Sequence, residues 1–175
     1  GIHGIIHKAT QGANYQDPTY EAHKQKALKA GILWGAYHFG TGGNVAAQVD
    51  NFLSKVGKSK DTILVLDFEP DKNGPDMTLA EAEQFVHHIK HETGIYPGLY
   101  SGHTIKEALL KAGITHSSQT ELSKCWLWIA QYATTAHIPK VWDNWTLWQY
   151  TDGAVGPTPH EVNGIGHCDR DMFNG

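Results

Sequence analysis

Two rhythms alternate along this chain. Short apolar runs bounded by glycine or polar residues read as strands, and stretches whose apolar residues recur every three or four positions read as helices. Ile2 to Lys8 is the first predicted strand. Ala9 to Gln16 reads as a loop, and Asp17-Pro18 then offers an N-cap with proline at the first helical position. That helix runs to Ala30, and Gly31 is a suitable stop. Ile32 to Phe39 is the next strand, followed by a helix on which Val49, Phe52, Leu53 and Val56 share one face. Thr78 and Glu81 have the spacing of a capping box, opening a helix with Leu79, Ala82, Val86 and Ile89 on one side and Gly94 behind it. Pro97 to Ser101 is a short strand, Thr104 to Ala112 a helix, and Cys125 to Tyr132 and Trp145 to Thr151 two further strands. Gly153 to Gly166 is rich in glycine and proline, and Asp169 to Asn174 closes the chain.

One strand departs from the rest. Ile63 to Leu66 is an unbroken apolar run, the pattern of a strand buried on both faces, and it leads directly into Asp67, Phe68 and Glu69. Side chains alternate along a strand, so Asp67 and Glu69 point the same way, roughly 6.6 Å apart along the chain. Two carboxyls at the end of a buried strand are costly unless they are paired or put to use. An isolated Asp-x-Glu is more often a salt-bridged or loop feature than a site.

The order β-α-β-α-β-α-β-α-β-β implies an α/β fold with a parallel sheet. At least six strands, with no Gly-x-Gly-x-x-Gly after the first, favour a compact barrel over a dinucleotide-binding fold. Either architecture puts functional residues at the C-terminal ends of strands. Asp67 and Glu69 fall there, as do Lys8, Tyr37, His38, Tyr100, Tyr132 and Gln149. Together they describe a polar mouth lined with aromatic rings.

The 175 residues, 40% hydrophobic, suffice for a single domain spanning 1–175 with its own core. A net charge of −4 supplies no basic face for nucleic acid and no polybasic membrane patch. No apolar stretch approaches the ~20 residues that span a bilayer, and the first residues lack the pattern of a signal peptide. Cys125 and Cys168 are too few for a disulfide framework and are expected to be free thiols. Twelve histidines raise the possibility of zinc, and His87 and His91 have i, i+4 spacing. Their helix lacks a glutamate after the first histidine, so a solvated face is the better reading, and His167 beside Cys168 and Asp169 is a weak cluster. Ser101 does not sit in a nucleophile elbow, and Cys125 enters an apolar strand as a core thiol.

Six segments carry a resemblance. Ile6-His-Lys-Ala-Thr-Gln-Gly12, Gly35-Ala-Tyr-His-Phe39, Leu66-Asp-Phe-Glu-Pro70, Trp128-Ile-Ala-Gln-Tyr132, Leu147-Trp-Gln-Tyr150 and Cys168-Asp-Arg-Asp-Met-Phe173 occur in the order seen in family 25 glycoside hydrolases. The last resembles that family's closing Asp-x-Asn-x-Phe segment, with Asp171 in place of Asn. The resemblance spans nearly the whole chain and implies an irregular (β/α) TIM-like barrel. It also implies an N-acetylmuramidase, a lysozyme that cuts the β-1,4 bond between N-acetylmuramic acid and N-acetylglucosamine in peptidoglycan. By the same resemblance Glu69 matches the general acid and Asp67 the carboxylate that supports the transition state by steering the substrate's N-acetyl group. Asp169 matches a third active-site acid. Tyr37, Tyr100 and Tyr132 are sugar-stacking candidates, and Lys8, His38 and Gln149 polar substrate contacts.

One acid retained as a proton donor beside another kept ionised is what glycoside hydrolysis requires. Family members carry a strand with Asp-x-Ser before the segment that begins here at Ile2, so the barrel is expected to lack its first βα unit and to expose a strand edge. The implied partner is the glycan of bacterial peptidoglycan, reached at the cell wall, by a monomer with no cofactor and no metal. The rival from another class is a glycan-binding domain without catalysis.

Overall fold

A computed structural model describes residues 1–58 and 61–174. Contacts divide the chain into two compact units, Gly1–Gly98 and Leu99–Gly175.

The first unit is built on strands β1 (Gly4–Gln11), β2 (Tyr15–Gln16), β3 (Leu33–Phe39) and β4 (Ile63–Asp67). β1 pairs parallel to β3, β3 parallel to β4, and the short β2 folds back antiparallel on the end of β1. β1 therefore runs three residues further than the apolar pattern indicates, and part of the expected loop is a tight hairpin. Helix α1 (Tyr20–Lys29) also starts later than expected. Asp17 accepts from the Thr19 amide at 2.7 Å and the Thr19 hydroxyl at 2.6 Å, so it closes a turn ahead of the helix and does not cap it.

Helix α2 (Val45–Val56) is capped by Asn44, whose side chain accepts from the Ala47 amide. Helix α3 (Leu79–Thr93) opens with the full capping box of Thr78 and Glu81, and it closes on left-handed Gly94. Apolar side chains from the helices and the sheet meet in a dry layer of Tyr20, Phe52, Leu66, Phe85, Val86 and Ile89, all essentially inaccessible to solvent. β4 is less enclosed than its apolar run suggests. Val65 and Leu66 are fully buried on opposite faces, but Ile63 is half exposed.

The second unit is a sheet of β5 (Gly98–Ser101), β6 (Leu127–Ala130), β7 (Leu147–Thr151) and β10 (Arg170–Phe173), with a small hairpin of β8 (Glu161–Val162) and β9 (Gly166–His167). β5, β6 and β7 are parallel, and β10 returns antiparallel along β7. Helix α4 (His103–Lys111) follows β5, and two short 3-10 turns lie at Ser117–Gln119 and Glu121–Lys124. Leu99, Ile105, Leu122, Leu127 and Ile129 form the core. β6 and β7 are shorter than expected, and just before β6 the indole of Trp142 donates to the Cys125 carbonyl at 2.9 Å. Both cysteines are free, and burial pushes the Cys125 thiol up to about 12, which leaves it inert as a nucleophile. Each unit is thus a mostly parallel sheet, with helices joining its parallel strands except between β6 and β7, the α/β arrangement expected of an irregular (β/α) barrel.

Candidate active site

The geometry of the first unit's site is set by one irregularity. Between Lys8 and Thr10 the register of β1 against β3 slips, so Lys8 lies opposite Tyr37 and Thr10 opposite His38. Ala9 is the extra residue of a bulge, and it is fully buried. Side chains two apart on a regular strand share a face, but across the bulge they do not. Lys8 and Gln11 therefore join Tyr37 and Phe39 on one face, while Thr10 turns with His38 to the face covered by α2 and α3. β4 continues the pattern, since Phe39 pairs with Asp67 and His38 with Leu66. Lys8, Tyr37, Phe39 and Asp67 share one side of the sheet.

Asp67 is the last residue of β4 and only 6% exposed. Its Oδ1 is the one fully buried side-chain polar atom without a hydrogen-bond partner among the described residues. Burial pushes its carboxyl well above the usual range, the neighbouring Glu69 charge adds to this, and the Lys8 ammonium opposes both. Glu69 lies just beyond the strand and is partly exposed, with Phe68 buried between the two acids. The alternation expected of a longer strand therefore ends at Asp67. Lys8 Nζ donates to Gln11 Oε1 at 2.6 Å and sits over the rings of Tyr15 and Phe39, 5.5 and 5.1 Å from their centroids. Two aromatic faces and one amide fix the position of this cation.

His38 differs from its expected role as a substrate contact. It is fully buried, stacked on Phe85 with ring centroids 4.9 Å apart and flanked by Phe52 at 5.5 Å. Gln48 Oε1 accepts the Thr41 amide at 3.0 Å and lies 3.1 Å from His38 Nε2, so Nε2 carries the hydrogen. Nδ1 is then an acceptor, and the Thr10 hydroxyl donates to it at 2.7 Å. Both ring nitrogens are satisfied inside the protein, and His38 acts by holding β3 against α2. Its burial pushes its pKa down to about 4.

In the second unit, register pairs Tyr100 with Trp128, Ala130 with Gln149 and Gln149 with Asp171. Opposed residues share a face, so one side of this sheet carries Tyr100, Trp128, Gln149 and Asp171. The Gln149 oxygen accepts the phenols of Tyr100 at 2.8 Å and Tyr132 at 3.0 Å. The Trp128 indole donates to Asp171 Oδ1 at 2.6 Å. Asp171 is exposed as a residue, as an outer strand requires, yet its carboxyl lies against a buried indole. Desolvation pushes that carboxyl up to about 6, and the charge of Asp169 acts in the same direction. Asp169 precedes β10, and its carboxyl is raised by burial and then by the charge of Asp152.

Three of the expected residues, Tyr100, Tyr132 and Gln149, are thus joined by hydrogen bonds. Lys8, Tyr37 and Asp67 share a sheet face, and His38 lies on the opposite face. Tyr15, Phe39, Trp128 and Asp171 were not among the candidates. Phe39 could have been found two positions after Tyr37 on the same strand face, whereas Trp128 and Asp171 required the register.

Residues 1–157 match the model of the family described as Glycosyl hydrolases family 25. The chain is 31% identical over 182 residues to lysozyme M1 of Streptomyces globisporus, covering 96% of this chain and 58% of that protein. It is 31% identical over 183 residues to the N,O-diacetylmuramidase of Chalaropsis sp, covering 94% and 84%. It therefore spans less than two thirds of the first relative and most of the second. Among solved structures it superimposes on the muramidase from Trichobolus zukalii with a TM-score of 0.78 at 27% identity, over 100% of this chain and 84% of that one. The bacterial lysozyme from Streptomyces coelicolor gives 0.79 at 28%, over 100% and 82%. By sequence match and by fold, this chain belongs to glycosyl hydrolase family 25.

Proposed function

We propose that the chain is a peptidoglycan hydrolase that cleaves the β-1,4 bond between N-acetylmuramic acid and N-acetylglucosamine at the bacterial cell wall. The observation that carries this reading is the Asp67–Glu69 pair, one acid buried with an unpartnered oxygen and the other exposed enough to reach a ligand. In the free protein, burial and mutual repulsion favour a proton on the pair. A substrate acetamido N–H donated to Asp67 Oδ1 supplies its missing hydrogen bond and stabilises its ionised form. The proton then belongs on Glu69, where a general acid must hold it to protonate the leaving oxygen. Ionised Asp67 orients the acetamido group as positive charge develops at the anomeric carbon, and Glu69, now a base, activates the incoming water. Asp169 is a supporting acid in this reading, and Tyr37, Tyr100 and Tyr132 offer rings to the sugars.

The test is release of reducing ends from purified peptidoglycan by the chain and by Glu69→Gln in parallel. Loss of at least about a hundredfold in rate is expected, since a positioned acid contributes roughly 10²–10⁴. Near-normal turnover in the variant would remove Glu69 from the mechanism. Binding of peptidoglycan by the unaltered chain with no cleavage would establish a glycan-binding domain in place of the enzyme.

A further inference from the structure

Helix α4 lacks a helical neighbour where β6 connects to β7, because residues 131–146 form no helix among the described residues. A groove of about 250 Å³ lies between α4 and this connection. Leu109, Leu110, Ile114, Ile138 and Pro139 give it an apolar lining, Lys106 and Lys140 supply cations, and no carboxylate lines it among the described residues. Leu110 is 81% exposed, more than any other large apolar side chain among the described residues. An exposed apolar patch edged with charge marks an interaction surface, where a single exposed leucine would not.

Lys106 adds an independent observation. Its ammonium is partly buried and donates to Gln131 Oε1 at 2.8 Å, an oxygen that also accepts the His137 amide at 3.0 Å. Gln131 Nε2 donates to the Thr135 carbonyl at 3.2 Å, so the amide is fixed and holds the cation beside the groove. That partner is neutral, and among the described residues no carboxylate pairs with Lys106. Burial lowers its pKa, as it must for a cation withdrawn from water without a counter-charge. Gln131 and Tyr132 diverge, one reaching α4 and the other Gln149, so the groove is separate from the sheet face that carries Gln149.

We infer that this groove docks an acidic peptide segment of a protein partner, whose large apolar side chains enter the cleft while its carboxylates meet Lys106 and Lys140. Charge selects the sign of the partner, since the groove offers cations and an apolar wall but no anion. Size selects its kind. At about 250 Å³ the groove falls below the roughly 300–1,000 Å³ that enclose a whole small-molecule ligand, so it fits side chains presented by a larger partner. An amphipathic segment laid against an open helix face is a common way of filling such a groove. The inference is independent of the peptidoglycan reading, because the groove shares no residue with the acid pair.

The test titrates the chain against a fluorescein-labelled peptide, Glu-Asp-Leu-Glu-Glu-Leu-Asp-Glu, followed by anisotropy. One control peptide replaces the leucines by serine and another replaces the acids by lysine. The acidic apolar peptide is expected to bind at least about tenfold more tightly than either control, with an affinity that falls as salt is raised. Lys106→Met keeps the aliphatic stem and removes the charge, and it should weaken binding by about tenfold. Leu110→Asp changes an exposed position and should weaken it at least as much. Both variants should release reducing ends from peptidoglycan at the rate of the unaltered chain, and a loss of cleavage would place the groove in the catalytic site and overturn the assignment. No saturable binding of the acidic apolar peptide, equal affinity for all three peptides, or an affinity unmoved by both substitutions also overturns it. So does capture by phosphatidylglycerol vesicles in place of the peptide, which would make the surface a membrane contact.

Discussion

His38 couples the stability of the first unit to acid, and the size of the effect follows from its surroundings. The ring is neutral, with Nε2–H donated to Gln48 and Nδ1 accepting from Thr10, and it has no contact with solvent. Its pKa falls from an ordinary 6.5 to about 4. Between those values the unfolded chain binds a proton at this position and the folded chain does not. Stability is therefore fully present above pH 6.5 and falls as the pH drops toward 4. At about 1.36 kcal/mol per unit, the loss from this one residue is roughly 3 kcal/mol. That is a large share of the 5–15 kcal/mol of a typical domain.

The assay is urea unfolding followed by the fluorescence of the six tryptophans, at about pH 7 and about pH 4.5, for the chain and for His38→Gln. The variant should be weaker at neutral pH, because it cannot bridge Thr10 and Gln48 while stacking on Phe85. It should nevertheless lose about 2 to 3 kcal/mol less than the unaltered chain on acidification, since its side chain does not titrate. Carboxylates titrate in both proteins and cancel in the difference. Equal losses in the two proteins would show that His38 is not held neutral by its cage, and the derivation from burial would be wrong.

Two further substitutions test the frame around the site. Gly156 has φ of +103°, and a Cβ there would lie 2.2 Å from the Tyr150 carbonyl oxygen and 3.2 Å from Tyr132 Cβ. Gly156→Ala should therefore cost about 2 kcal/mol or more in urea unfolding, and a stability unchanged within experimental error would contradict the close approach. Lys8→Met removes the charge that lowers the Asp67 pKa while keeping a side chain between Tyr15 and Phe39. The ionised form of Asp67 then needs a higher pH, so the acidic limb of the cleavage profile should move upward, and a fixed limb would exclude Lys8 from the electrostatics of the pair.

The elements were largely legible in the sequence because local rules decided them. The Thr78–Glu81 capping box and the Gly94 stop belong to single short segments, and both appear in the structure. The acidic end of β4 was legible for the same reason. What the periodicity hid was non-local. Thr10 and Lys8 read as same-face residues until the bulge against β3 separates them. His38 read as a mouth residue because strand ends are usually functional, but the parity of β3 turns it toward the helices. Trp128 and Asp171 lie 43 positions apart, and only the pairing of β10 with β7 brings β10 to this face. A hydrogen bond over that separation leaves no local pattern.

The bulge at Ala9 also bears on which sequence changes this segment can accept. Removing Ala9 would give a regular strand with Thr10 still opposite His38 and Gln11 still opposite Phe39, whereas removing a paired residue such as Lys8 would shift the register on one side of the bulge. Substitution is the milder change, because it alters one side chain, whereas an insertion or deletion in the regularly paired stretch reverses the facing of the segment beyond it. Chain length in β1 should therefore be the more tightly held property, with Ala9 kept small because it is buried. Any transplant of this strand into another scaffold must carry the count of residues together with their identity.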